Sequence, residues 1–174
     1  ERRIEKMKEA LQDPVSHTLS DKRDKFIEIL AFCFMPNHIH LLLKQIKDGG
    51  ITKFMQKLGA GYARYFNEKY QRKGYVFQNR FKEVHIKDDN QFKIVVPYIF
   101  TNPIALIYPN FKERGVENPK RTKDFLENYK WSSYQDSIGI KNFTTVTDRN
   151  LLLEIMGCEV GCKEAVGNWI LHKA

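Results

Sequence analysis

The sequence predicts an α+β fold, and three observations carry that expectation. An apolar run over residues 26–34 meets turn chemistry at Pro36-Asn37 and continues as a second run over residues 38–45, which reads as a β-hairpin. Residues 51–72 hold Phe54, Leu58, Tyr62, Tyr65 and Phe66 at three- and four-residue steps, the spacing of an amphipathic helix. Asp88-Asp89-Asn90 is a cluster of capping residues ahead of a further helical segment.

At 174 residues, with 42% hydrophobic and 13% aromatic side chains, the chain is long enough to bury a core as one domain. No apolar run reaches the roughly 18 residues of a membrane helix, and no signal peptide is visible. Cys33, Cys158 and Cys162 are an odd, sparse set, which argues against a disulfide scaffold and for a reducing, cytoplasmic setting.

Taken in order, residues 1–11 read as a charged helix with Ile4, Met7 and Leu11 on one face. The hairpin follows over residues 25–34 and 38–45, and Asp48-Gly49-Gly50 breaks its second strand. The long helix takes Thr52 as its N-cap and Gly74 as its far stop. Gly59 and Gly61 inside it cost about 1 kcal/mol each against alanine, so they imply close approach by the sheet or a ligand. Residues 81–87 read as another strand, with a polar, basic entry at Gln78, Asn79, Arg80 and Lys82. The helix after Asp88 runs toward Thr101, should kink or restart at Pro97, and ends at Asn102-Pro103. Residues 109–123 read as a loop rich in Pro, Lys and Asn. Trp131 and Tyr134 read as packing residues, and two short helices close the chain at residues 148–156 and 163–172. The organisation expected is a main domain over residues 1–140 and a helical extension over residues 141–174 packed on it.

Charge is informative once it is located. Residues 44–87 carry 11 basic and 3 acidic side chains, whereas residues 1–43 carry 7 of each and residues 88–174 carry 11 of each. The whole net charge of +8 therefore sits in one segment. A polyanion partner is the natural inference, nucleic acid being the commonest. Lys53, Lys57, Arg64, Arg80 and Lys82 are the candidate phosphate contacts. Tyr75 and Phe77 would either stack on bases or fill the core.

Immediately before that segment stands Met35-Pro36-Asn37-His38-Ile39-His40-Leu41-Leu42-Leu43. Residues two apart on a strand share a face, so His38 and His40 point the same way. Paired imidazoles fill a core poorly but can chelate a divalent cation and leave positions open for substrate oxygens. Tyr98 and Asn102 lie four residues apart, which puts a phenol and an amide carbonyl on one helix face. If that helix lies over the His face, metal and phenol meet. Periodicity alone does not select Tyr98 among the 8 tyrosines.

The His-hydrophobe-His block resembles the signature of single-tyrosine HUH transposases. Tyr75-Val76-Phe77-Gln78-Asn79-Arg80-Phe81-Lys82, Tyr98-Ile99-Phe100-Thr101-Asn102-Pro103 and Trp131-Ser132-Ser133-Tyr134 resemble further blocks in the same order. The combination is most similar to the REP-associated tyrosine branch of the insertion-sequence transposases. The resemblance implies a ferredoxin-like, RRM-like antiparallel sheet with helices on one face. It also implies a metal-dependent nickase and strand transferase acting on single-stranded DNA beside an imperfect hairpin. By motif match His38 and His40 become metal ligands, Asn102 the polar third ligand, and Tyr98 the nucleophile that forms a 5′-phosphotyrosine. Mg²⁺ or Mn²⁺ is the implied metal, and a homodimer in the prokaryotic cytoplasm, associated with the nucleoid, the implied setting. The family opens with a strand ahead of its first helix, whereas Glu1 begins in a helical pattern, so that strand is expected to be missing here. Two other functions suit the same residues: a non-catalytic RRM-like nucleic-acid-binding module, and a phosphodiesterase using activated water instead of a covalent tyrosine.

Overall fold

A computed structural model describes residues 24–172, and their fold is α+β. The charged helix expected at residues 1–11, and with it the question of a first strand, lie outside the described residues.

Strand β1 (Ile27–Phe34) and strand β2 (Ile39–Gln45) form an antiparallel hairpin closed by the Met35 N–H donating to the His38 carbonyl at 2.8 Å. The register pairs Phe34 with Ile39, Cys33 with His40 and Ala31 with Leu42. A shift between Ile29 and Ala31 marks a bulge at Leu30. Because opposed residues share a face, Ala31, Cys33, His40 and Leu42 lie together. Ala31, Cys33 and Leu42 join the main hydrophobic core. The other edge of β1 is covered by the segment around Ser132, as the Phe34 N–H donates to the Trp131 carbonyl (2.8 Å) and the Ser133 N–H to the Phe32 carbonyl (3.0 Å). Tyr134 is buried there, but Trp131, expected to pack, is 49% exposed because the backbone at this position, and not its ring, meets the strand.

Helix α1 (Gly50–Lys69) starts at Gly49 in the left-handed region (φ 66), not at Thr52, and ends at Tyr70. Gly74 lies beyond the helix, where its carbonyl accepts from Asn67 Nδ2 at 2.9 Å. The close approach of the sheet expected at Gly59 and Gly61 is not seen among the described residues, where a Cβ on either would meet nothing within 4 Å. It occurs instead at Gly50, whose added Cβ would collide with the Phe26 carbonyl where the chain leaves β2. The strand expected at residues 81–87 is not formed. This stretch has β-forming residues but no ladder partner among the described residues, and Val84 is 80% exposed. The described sheet therefore has two strands.

Helix α2 (Asp89–Thr101) is capped by the Asp88 carboxylate, which accepts from the Gln91 N–H at 2.8 Å. It runs through Pro97 without restarting. The proline removes one N–H, and the carbonyl it leaves free belongs to Lys93, which is exposed to water. A 3₁₀ turn (Asn102–Leu106) follows, with Pro103 at its start. Within residues 109–123, expected as loop, lie α3 (Phe111–Arg114) and the start of α4 (Pro119–Asn128). Asn118 caps α4 and Pro119 opens it, a signature present in the sequence. After the short α5 (Tyr134–Ser137) come α6 (Asn150–Met156) and α7 (Cys158–Leu171), the latter starting a turn earlier than expected. Leu152, Met156, Cys162, Val166 and Ile170 pack in one core with Phe92, Val96, Ile99 and Phe100 of α2. Helix α2 is thus held between the hairpin on one side and α7 on the other.

Candidate active site

The hairpin turn positions the histidines. His38 stands at the mouth of β2 and His40 one pleat further in, with ring centroids 4.9 Å apart and planes at 85°. His38 Nδ1 lies 2.7 Å from Asn37 Oδ1, and in the neutral tautomer that donates there Nε2 is the nitrogen free to ligate. His40 is half-buried, and its Nε2 is buried with no hydrogen-bond partner. Burial, then the neighbouring His38 and Lys112, hold its imidazole below the ordinary histidine range. Asn102 lies close enough to oppose that shift, although nothing meets Nε2 at hydrogen-bonding geometry. A neutral imidazole is the form that binds metal.

Helix α2 brings the other half. The Tyr98 ring meets His40 edge-on at 5.7 Å. Asn102, buried at the end of the helix, donates from Nδ2 to the Tyr98 carbonyl at 2.7 Å, which turns its Oδ1 away as the atom left to accept or to ligate. The four residues selected from sequence are therefore assembled in one place, the helix lying over the His face of the hairpin.

Two further residues meet Tyr98 and were not selected from sequence. Trp169 of α7 contacts its ring at 6.2 Å, and Lys112 Nζ of α3 sits 5.6 Å from the ring centroid. With Thr101, Asn102 and Phe111 they line a cleft of about 260 Å³ beside the phenol. No local spacing links positions 98, 112 and 169, so only the packing of α3 and α7 on α2 reveals them.

The donor set answers whether a divalent ion fits. Among the described residues no three His, Cys, Asp or Glu side chains cluster, so a third ligand has to be an amide or come from substrate. Two imidazoles and an amide oxygen, one imidazole nitrogen being buried and unpartnered, fit an ion whose remaining positions take phosphate and water oxygens.

The family described as transposase IS200 like has a sequence model that matches residues 2–102, more than half of the chain. This chain belongs to the IS200-like transposase family. No curated protein and no solved structure matches it. The family match ends at Asn102, so Lys112 and Trp169 stand outside the matched region of this transposase. Membership makes it a DNA-processing enzyme, and no helix among the described residues is long and apolar enough to cross a membrane.

The basic segment of the transposase forms a separate, exposed surface. Lys53 and Lys57 of α1 lie over the Phe26 ring, at 4.3 and 5.2 Å. Arg64 is tied to Glu68 at 2.8 Å, and Arg80 and Lys82 are exposed on the unpaired segment after α1. None of the five lines the cleft beside Tyr98. Tyr62, Phe66, Tyr70 and Phe77 form a chain of ring contacts of 4.6–5.9 Å, with Arg72 over Phe66 and Lys69 beside Tyr65 and Tyr70. Tyr75, at 94% exposed, is no core residue.

Proposed function

We propose that this transposase is a metal-dependent endonuclease and strand transferase for single-stranded DNA, with Tyr98 as nucleophile. The observation that carries the reading is the edge-on approach of Tyr98 to His40 at 5.7 Å, made across two elements about 60 residues apart in sequence. His38, His40 and Asn102 would hold Mg²⁺ or Mn²⁺. When bound, such an ion stabilises the charge that develops on the phosphate. Tyr98 Oη forms the bond to phosphorus as the bond from phosphorus to the 3′ oxygen breaks. The phenol proton is lost and the 3′ oxygen takes one up, giving a 5′-phosphotyrosine and a free 3′-OH. The ester conserves the phosphodiester, so a later 3′-OH reseals it without ATP. The Asn102 hydrogen bond to the Tyr98 carbonyl braces the turn that carries both residues.

The basic, aromatic surface of α1 and residues 70–82 supports strand binding apart from chemistry. On this reading the substrate is single-stranded DNA flanked by a hairpin, the sheet is completed to a ferredoxin-like one, and the protein works as a homodimer at the nucleoid. The test is nicking of an end-labelled oligonucleotide with Mg²⁺ or Mn²⁺. A covalent protein–DNA adduct that disappears in Tyr98→Phe is expected. Cleavage that survives Tyr98→Phe would assign the reaction to water, and binding without cleavage would leave a nucleic-acid-binding module.

A further inference from the structure

The cleft beside Tyr98 is not accounted for by the metal ligands or the nucleophile. Its walls combine one cation, Lys112, and two aromatic rings, Phe111 and Trp169, with the Thr101 and Asn102 side chains. Thr101 Oγ1 donates to the Pro97 carbonyl at 2.8 Å, and Asn102 Nδ2 to that of Tyr98, so the threonine hydroxyl and one amide N–H are engaged within the helix. Lys112 is an exposed lysine that makes no ion pair among the described residues, and its Nζ sits 5.6 Å from the centre of the Tyr98 ring. The buried Phe111 next to it anchors its backbone at the mouth of the cleft. No acidic side chain lines the cleft, and an anionic ligand is the complement.

Trp169 supplies the second part of a ligand's chemistry. Its neighbours Val166 and Ile170 bury α7 in the core, while its ring turns to Tyr98 and stays partly exposed. An indole lining the same cleft as a cation is a platform for one planar base with its phosphate. A volume of about 260 Å³ admits a single nucleoside and no duplex.

We propose that the cleft formed by Tyr98, Lys112, Phe111 and Trp169 is a nucleotide subsite, which stacks one unpaired base on Trp169 and holds the adjoining phosphate on Lys112. The proposal rests on Tyr98 being the nucleophile only for its register: the nucleotide held is the one adjoining the phosphate attacked. It gives the C-terminal helix α7 a direct part in substrate positioning, outside the region that the transposase family matches.

The test uses the full chain carrying Tyr98→Phe to prevent cleavage and Trp131→Phe to leave Trp169 as the only indole. Oligothymidylate should quench Trp169 fluorescence in step with binding followed by anisotropy. Adding Lys112→Met should weaken binding about 10- to 100-fold, the range of one charge-assisted contact. It should also lower the salt slope by about one phosphate, and Lys112→Arg should restore the slope. In the cleavage-competent protein Lys112→Met should lower kcat/KM for nicking while the adduct still forms on Tyr98. Binding that leaves Trp169 fluorescence unchanged, no binding at all, or an unaltered slope in Lys112→Met would overturn the subsite. A wild-type protein that nicks without a Tyr98 adduct overturns the proposed mechanism instead, and the quenching result then still decides the subsite.

Discussion

Replacing Asn102 separates two jobs that one side chain performs. Its Nδ2 donates to the Tyr98 carbonyl at 2.7 Å, and its Oδ1 is left for the metal. Asn102→Ala removes both. The lost hydrogen bond, in a residue 8% exposed, should cost about 0.5–1.5 kcal/mol. Among side-chain donors the carbonyl keeps the longer contact from Thr101 Oγ1, at 3.4 Å. Loss of one ligand should weaken Mn²⁺ binding at least about tenfold, since even groups that only orient ligands are worth 10- to 100-fold. Asn102→Asp keeps an oxygen but no donor. It should show a stability loss similar to that of Asn102→Ala, while its Mn²⁺ affinity is restored or improved by the added charge. Urea denaturation without metal reads the first effect, and Mn²⁺ titration by calorimetry reads the second. Equal Mn²⁺ affinity in wild type and Asn102→Ala would refute the ligand assignment. An unchanged urea midpoint in Asn102→Ala would refute the structural bond.

Three other outcomes follow from the same geometry. Ser133→Ala removes the hydroxyl that accepts from the Phe32 N–H at 2.8 Å and should cost about 1–3 kcal/mol, seen as a lower urea midpoint; a change under 0.5 kcal/mol would mean that water replaces it. Burial holds the folded His40 below its ordinary value, so the unfolded chain binds the extra proton first; this share of stability is present above about pH 6.5 and is lost as pH falls through the folded value. Metal-free His40→Gln should therefore lose less stability between pH 7 and 5 than wild type, and parallel curves would contradict the assignment. Charge reversal at Lys53 and Lys57 should flatten the salt dependence of oligonucleotide binding while nicking at saturation persists; an unchanged slope would clear α1 of phosphate contact.

The sequence by itself determined the hairpin and the helices that carry the candidate residues, because each is written in local chemistry, whereas Tyr98 is singled out by resemblance to a family motif. Pro36-Asn37 sets the turn, period-two spacing puts His38 and His40 on one face, and Asp88 caps the helix that carries Tyr98 and Asn102. Local chemistry also misled where a partner decides the outcome. Residues 81–87 have strand-forming side chains, but a strand exists only with a neighbour to bond. Glycine at positions 59 and 61 meets none of the described residues, while Gly50 carries the close contact because the chain entering β1 and the start of α1 meet there. Only the tertiary structure decided that α2 lies over the His face and that Lys112 and Trp169 complete the surroundings of Tyr98. Those contacts join positions 40, 98, 112 and 169 by burying the two sides of α2 between the hairpin and α7, and no spacing within a single segment encodes the packing of one face against another.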